Sequence, residues 1–540
     1  MDFLKFLQRE SKDFDRALLL TGAFAGVVST MLIFILTAAA NRAAAGVTPY
    51  RELVMIVLCL VGYWFAKGHL MQRTTEVVEE VIRNVRRRLA VRLRDTDLAS
   101  FEAIGKAPFY NAISTHATAI SRAAPAVVSA GTSIVLLLCA FIAIFFLSSA
   151  SFLVMAATLG VIIGVLYLNR GEMLAKLARF TQVDNRFVKG FDDLLDGFKE
   201  LKLHSEKNRD FFENHLNPMA EECREIRVDT GMTVNQSVMV ASSALFLLLA
   251  ALIFVIPVIT PEDASKLVRI STLVVFIFGP LGEVVSVFPL VTEATNSIRE
   301  INRIEAELDS LFGKHVVDPM PGKPIEPLAF DSIHCHQLAF EFRDEKGEPS
   351  FSLEPLDFEL KKGELVFITG GNGSGKSTFL RVLAALYPPK SGSICVGDRM
   401  IGPDLRQPYR DLFSAVFADF HLFDEFYGLD HPDKEKLSRL LHEMDLFYKV
   451  TVDGKALSTT RLSTGQRKRL ALIVALMEER PVLLLDEWAA EQDPQFRRKF
   501  YREILPELKR QGKTVVAVTH DDEYYGVADR VLKMQYGQFV

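Results

Sequence analysis

A six-span α-helical membrane domain followed by an α/β domain built on a phosphate-binding loop is the fold class predicted by this 540-residue sequence. Three observations predict it. Runs near the ~20 apolar residues needed to cross a ~30 Å hydrocarbon layer are confined to residues 17–291. Beyond residue 291 no apolar run reaches that length, and a charged connector follows. A short apolar stretch at 365–369 then leads into a glycine-rich loop and a helical pattern. The length exceeds what one hydrophobic core serves, so the expected division is a membrane domain over 1–310, a linker over 311–327 and a nucleotide-binding domain over 328–540.

Six spans are expected at about 17–40, 52–71, 124–146, 151–168, 232–259 and 267–291. The connections after the first, third and fifth are short, and those after the second and fourth are long. The long loops carry Arg73, Arg83, Arg86, Arg87, Arg88, Arg92 and Arg94 in one case, and Arg170, Lys176, Arg179, Arg186, Lys189, Lys199, Lys202 and Lys207 in the other. The excess of positive charge places that side, and both chain ends, in the cytoplasm. Apolar residues at helical spacing in 74–98 and 180–203 predict helices that continue out of the membrane. The arginine run 86–88 is read as a solvated face that holds lipid head groups. Glu283, after Gly279 and Pro280 in the sixth span, has two readings. It lines a cavity and favours a positively charged cargo group, or it sits at the inner interface where an acid costs little.

Composition narrows little else. The net charge of -5 is small for this length and decides nothing about partners; no nucleic-acid partner is expected. The five cysteines form no CxxC pair, so neither disulfides nor a metal framework is expected. In His334-Cys335-His336 a strand points both histidines one way and the cysteine the other. Residues 1–16 are charged and no cleavable signal is expected.

The loop Gly370, Gly371, Asn372, Gly373, Ser374, Gly375, Lys376, Ser377 and Thr378 stands between a strand and a helix, as phosphate binding requires. Glycines let successive backbone N–H groups face phosphate oxygens, the helix N-terminus adds its positive end, and Lys376 brings a charge to the outer phosphates. Ser377 is placed to ligate Mg²⁺ of an ATP·Mg²⁺ complex. The buried-strand pattern 482–486 ends in Asp486, a metal ligand, and Glu487, a general base for water. His520, at the end of the strand pattern 514–519, is placed to sense the terminal phosphate.

Leu462-Ser463-Thr464-Gly465-Gln466 opens a helix whose amides can meet a further phosphate, with Ser463 as cap. With this motif the chain resembles an ABC transporter, and its order of spans and nucleotide domain resembles a type IV exporter half-transporter. The resemblance implies a homodimer with two equivalent ATP sites, in which Ser463, Gly465 and Gln466 meet the nucleotide held by the other subunit. It further implies that Phe342, or Phe340, stacks on adenine and that Asp493 is the D-loop aspartate. Coupling helices are expected near 114–120 and 203–212. Two positions depart from the family pattern: Ala418 stands where the Q-loop glutamine is usual, and Thr464 where the signature has glycine. Stretches 413–419 and 485–498 resemble the branch that exports cyclic peptides, lipopeptides and pyoverdine precursors. The expectation is an ATP-driven exporter of a peptide-like or amphipathic cargo, lodged among lipids of the bacterial cytoplasmic (inner) membrane. Its nucleotide domain lies in the cytoplasm. The alternatives are a multidrug or lipid exporter, a siderophore importer of the same architecture, and a membrane-tethered ATPase acting as a switch.

Overall fold

The computed structural model describes residues 2–10, 16–44, 46–259, 264–312, 328–343 and 349–540. Residues 313–327 of the expected linker lie outside the described residues. The chain forms two compact units, one of residues 1–90 and 107–306 and the other of residues 91–106 and 307–540.

Six helices among the described residues, lying wholly or mostly in the first unit, are long and apolar enough to cross a membrane: Leu20–Ala40, Tyr50–Asp95, Ala107–Leu147, Ser149–Asn169, Ser205–Ile259 and Lys266–Asp309. Each contains most or all of one expected span. Several far exceed the length a bilayer needs: the 46 residues of Tyr50–Asp95 run to about 69 Å at the helical rise. The helical continuation expected at 74–98 is therefore present to Asp95, and the helix Ser149–Asp196 carries the one expected at 180–203 through most of its length. Small residues set the closest approaches. A Cβ on Gly26 would lie 2.8 Å from Val135 Cβ and 2.9 Å from the Thr132 carbonyl oxygen, so the first and third spans meet there backbone to backbone.

The cytoplasmic extensions are tied together by Arg88. Its guanidinium donates to Glu10 at 2.6 Å and to Glu305 at 2.7 Å, and both carboxylates are buried. The helix Asp2–Glu10 is thereby fastened, with Phe3, Phe6 and Leu7 buried beneath it. This corrects the reading of Arg88 as a head-group contact: the side chain is committed within the protein.

The second unit contains twelve strands among its described residues. They are β1 (Ser332–Arg343), β2 (Pro349–Lys361), β3 (Leu365–Thr369), β4 (Ser391–Val396), β5 (Arg399–Met400), β6 (Phe413–Val416), β7 (Val452–Asp453), β8 (Ala456–Leu457), β9 (Val482–Asp486), β10 (Thr514–Val518), β11 (Arg530–Gln535) and β12 (Gln538–Phe539). An antiparallel sheet runs β2-β1-β4-β5, and the main sheet runs β12-β11-β3-β10-β9-β6. From β11 to β6 the main sheet is parallel, and β3, β9 and β10 are nearly or wholly buried. Burial on both faces explains why these strands read as continuous apolar runs rather than alternating ones. In β1 the expected alternation holds: Cys335 is buried, and the rings of His334 and His336 stack outside at 6.2 Å.

Residues 91–106, from the first long loop, belong to this second unit. The short helix Leu98–Ile104 is capped by Asp97, which accepts from Ser100 N at 2.9 Å, and Leu98 and Ala99 pack on the core of the antiparallel sheet. The expected coupling position at 114–120 is corrected accordingly. Those residues lie inside the continuous helix of the first unit, and the docked segment is about sixteen residues earlier. The sequence signal for the docked segment is the Asp97 cap, which marks a new helix start.

Candidate nucleotide site

β3 delivers the glycine loop to the helix Lys376–Leu383. Gly370, Gly373 and Gly375 have φ of +151°, +76° and +103°, a region L side chains rarely adopt. Space adds to the constraint: a Cβ on Gly370 would lie 2.2 Å from the Met534 carbonyl oxygen, and one on Gly375 2.8 Å from Phe351. Lys376 is almost fully buried, and its Nζ donates to the carbonyl oxygens of Gly370 at 3.0 Å and Gly371 at 2.9 Å. The side chain thus spans the loop and holds its charge over the cradle. Gly371, Asn372 and Gly373 are exposed at the rim, Ser374 is buried, and Ser377 and Thr378 are half-buried in the first helical turn.

Asp486 ends β9 at 1% exposure, and among the described residues neither of its carboxylate oxygens has a partner at good hydrogen-bond geometry, the Ser377 hydroxyl and the Ala418 N–H lying nearby. Burial pushes the carboxyl above the usual aspartate range. The Ser377 hydroxyl offsets part of the rise, and the Glu487 charge adds to it. A buried, unpartnered carboxylate beside a serine hydroxyl is costly unless a cation completes it. These residues fit Mg²⁺.

Glu487 follows with φ of +48°, a conformation uncommon for a residue with a side chain. Its carbonyl accepts from Lys468 Nζ at 2.9 Å, and its N–H donates to the Val518 carbonyl at 3.2 Å. Trp488 Nε1 donates to the Lys468 carbonyl at 2.8 Å, so the turn is held from both sides. The result aims the carboxylate at the loop: Glu487 Oε1 lies 3.2 Å from His520 Nε2 and 3.9 Å from Lys376 Nζ. Three expected site residues, contributed after β3, β9 and β10, thus meet at one point.

The helix Thr464–Met477 begins at Ser463, whose N–H donates to Gln466 Oε1 at 3.4 Å. Gly465 is required by a close approach: an added Cβ would meet the Glu491 carbonyl oxygen at 2.8 Å, and Gln492 Nε2 donates to the Gly465 carbonyl at 3.0 Å. Arg469 fastens the helix to the segment around Asp493. It bonds Gln492 at 2.8 Å and Asp493 at 2.6 Å and lies 3.5 Å over the Phe496 ring. Asp493 caps the helix Pro494–Lys499 by accepting from Phe496 N at 2.8 Å. That backbone bond, together with Arg469, lowers its pKa. Among the described residues no hydrogen bond joins Ser463, Gly465 or Gln466 to the loop 370–378.

At the expected Q-loop position, Ala418 offers only its backbone N–H toward Asp486. The neighbouring Asp419 turns to Arg381, whose Nη2 reaches both of its carboxylate oxygens at 2.9 Å. Arg381 also donates to Tyr387 Oη at 2.9 Å and stands 3.8 Å from Glu102. Tyr387 donates in turn to Glu102 at 2.5 Å; burial and this acid push its hydroxyl up to about 12. Asp419 is thereby connected to the docked helix Leu98–Ile104.

Of the two aromatic candidates, Phe340 is buried and stacks on Tyr387 at 4.9 Å, whereas Phe342 is half-buried and meets Phe340 and Tyr387 edge-on at 4.8 and 5.4 Å. Sequence reasoning did not single out Lys468, Arg381 or Glu102. Lys468 and Arg381 sit on helices whose motif residues drew attention elsewhere, and Glu102 acquires its partners only through the fold.

A strand, glycine loop and helix facing a buried aspartate, an adjacent glutamate and a histidine define a P-loop nucleotide-binding domain, here in a chain with six membrane-competent helices. Residues 353–490 match the ABC transporter family. The ATP-binding protein SyrD of Pseudomonas syringae pv. syringae is 37% identical over 365 residues, covering 64% of this chain and 62% of that protein. The glycine betaine transport ATP-binding protein OpuAA of Bacillus subtilis is 34% identical, over 34% of this chain and 47% of that protein. The energy-coupling factor transporter ATP-binding protein EcfA1 of Streptococcus thermophilus is 30% identical, over 38% of this chain and 77% of that protein. The chain thus spans about half to two thirds of the length of SyrD and OpuAA. A solved bacterial Atm1-family ABC exporter with ATP bound has the same fold, with a TM-score of 0.72 at 17% identity, covering 97% of this chain and 93% of that one. The chain belongs to the ABC transporter family. It is a multi-pass membrane protein with the exporter fold.

Proposed function

We propose that this chain is a half-transporter that works as a homodimer in the bacterial inner membrane, using ATP hydrolysis to export a cyclic peptide, lipopeptide or peptide-siderophore precursor. The observation that carries the reading is the meeting of Lys376, Glu487 and His520 beside the buried, unpartnered Asp486. The phosphates of ATP lie along the backbone amides of the loop 370–378, with Lys376 balancing their charge. Ser377 and Asp486 would hold Mg²⁺, which would supply neutralising charge to the phosphate oxygens. Glu487 orients the attacking water and takes its proton, and His520 holds Glu487 in place while facing the terminal phosphate. The face of Phe342 receives the adenine.

Ser463, Gly465 and Gln466 make no bond to their own loop, which leaves them for the nucleotide of the second subunit, with Asp493 at the same contact. Closure of two such sites is the event that moves the spans. The resemblance of 413–419 and 485–498 to peptide exporters, and the similarity to SyrD, support the cargo class. The likeness to the Atm1-family exporter supports the half-transporter architecture. The test is ATP hydrolysis by the full chain in lipid nanodiscs with a panel of lipopeptides. Stimulation by one class, absent in Glu487→Gln, supports the reading; hydrolysis indifferent to every peptide removes the cargo assignment.

A further inference from the structure

Three spans of the membrane unit bring an acid and a base to one level without pairing them. Lys67 lies on Tyr50–Asp95, Ser129, Thr132 and Ser133 on Ala117–Leu147, and Glu283 on Ala264–Phe312. Lys67 Nζ donates to Ser129 Oγ and to Thr132 Oγ1, each at 3.4 Å. Glu283 Oε2 accepts from Ser133 at 2.5 Å and from Ser129 at 3.3 Å. Ser129 is the bridge. It accepts from the ammonium, which leaves its own proton to point at the carboxylate.

The depth of the cluster follows from the helical rise. Lys67 is 17 residues from Tyr50, Ser129 is 18 from Leu147, and Glu283 is 17 from Lys266, the ends at the short connections. At ~1.5 Å per residue each lies about 25 Å in, within the cytoplasmic half of a ~30 Å hydrocarbon layer. This close to the inner interface an ionised group costs less than at the midplane, but it still normally faces a partner or a wet cavity. Glu283 nevertheless stays exposed, and among the described residues no lysine, arginine or histidine comes within ion-pair distance of it. Two hydroxyls aim its carboxylate, and among the described residues no cation pairs with it directly; Lys67 stands behind Ser129.

We propose that Glu283, positioned by Ser129 and Ser133 and backed by Lys67, is the binding site for the primary ammonium group of an amphipathic cargo. This rests on the export reading above and names the chemistry of the cargo's head. An ammonium supplies the charge and the donors that the exposed side of the carboxylate lacks. The depth suits a molecule taken up from the inner leaflet with its acyl chain still among lipids. Lys67 and Ser129 act as positioning residues: they fix where the carboxylate points and do not touch the cargo amine.

The test uses the full chain in phosphatidylglycerol nanodiscs without nucleotide. The probe is a fluorescent lipopeptide bearing one lysine side chain, compared with the same peptide acetylated on that amine. We expect the wild type to bind the free-amine form at least about tenfold more tightly, equivalent to ~1.4 kcal/mol. Glu283→Gln should erase that difference while ATP affinity and the melting temperature stay as in wild type. Lys67→Met should reduce the preference, and Ser129→Ala should do the same with no charge altered, a result that loss of a merely structural lysine would not give. Equal binding of both peptides by wild type, an undiminished preference in Glu283→Gln, or no binding of either form overturns the site. Adding phosphatidylethanolamine separates the two sources of ammonium: if the lipid abolishes peptide binding, the acid belongs to lipid head groups and the cargo assignment fails. ATP hydrolysis is recorded alongside. Equal stimulation by both peptides leaves the export reading standing while the site falls, whereas absence of stimulation by any peptide removes the export reading itself.

Discussion

Arg381 grips both carboxylate oxygens of Asp419 at 2.9 Å and stands 3.8 Å from Glu102 with the same guanidinium. Burial works against the charge on Arg381, and Tyr387 and Asp419 outweigh it, so its pKa is raised. The pair links the segment after β6 to the helix Leu98–Ile104 beside Ala418, the expected Q-loop position. Asp419→Ala should uncouple rather than inactivate. Steady-state measurements should show a drop of about tenfold in cargo-stimulated hydrolysis, with a smaller loss in the basal rate. Equal losses in both would mean that Asp419 acts only on the chemistry.

The raised pKa of Asp486 has a definite sign in function. A carboxyl that holds its proton to higher pH than an ordinary aspartate must release it before a divalent cation binds. The Mg²⁺-dependent part of ATP affinity should therefore shrink as pH falls toward the raised value of this carboxyl, at higher pH than for an ordinary aspartate. Asp486→Asn should lack that pH-dependent part. For folding without metal the sign is opposite: the native state binds this proton more tightly than the unfolded chain, so this group adds stability as pH falls through its raised value. Titration of nucleotide binding with and without Mg²⁺ at several pH values reads the first effect directly.

Gly465→Ala places a Cβ 2.8 Å from the Glu491 carbonyl oxygen, against backbone that cannot swing aside. The helix Thr464–Met477 must then move relative to the segment carrying Asp493. Because the loop 370–378 is untouched, ATP binding should persist within about threefold, whereas the hydrolysis rate should fall by about two orders of magnitude, some 3 kcal/mol of barrier. Nucleotide binding and turnover on one preparation check this, and parallel loss of both would place Gly465 in the folding of the domain instead.

Arg88→Ala removes the cation that the buried carboxylates of Glu10 and Glu305 share, with Arg9 remaining 3.5 Å from Glu10. Weakening the compensation of two buried acids is destabilising by roughly 2 kcal/mol once the partial exposure of the guanidinium is allowed for. Thermal unfolding in detergent should show a lower melting temperature, partly restored in Arg88→Ala/Glu10→Gln/Glu305→Gln, where no uncompensated acid remains.

The legibility of this chain in its sequence follows the range of the interactions. The six spans and the loop 370–378 are set by contiguous residues under strong local constraints, apolar length in one case and left-handed glycines in the other, and both were visible. Asp486 and Glu487 were legible because a doubly buried strand announces its own end. The docking of 91–106 was not, since it depends on Glu102 meeting Tyr387 and Arg381 across nearly three hundred positions of chain. Arg88 was misread for the same reason: charge patterning treats a lysine or arginine run as solvated, and only the fold shows which member has buried partners. Lys468, which supports the left-handed Glu487, carries no sequence signal beyond being a lysine in a helix. The balance between the two readings of Glu283 needed the neighbouring spans: depth puts the acid toward the inner interface, and the serine contacts give its carboxylate a fixed direction.

The most direct test of the central claim is ATP-dependent uptake of a labelled lipopeptide into inside-out membrane vesicles containing the wild-type chain or Glu487→Gln. The account predicts accumulation against a gradient in wild type, and none in the variant, which still binds ATP. Failure of the wild type to accumulate peptide while it hydrolyses ATP, or accumulation only in right-side-out vesicles, would contradict it.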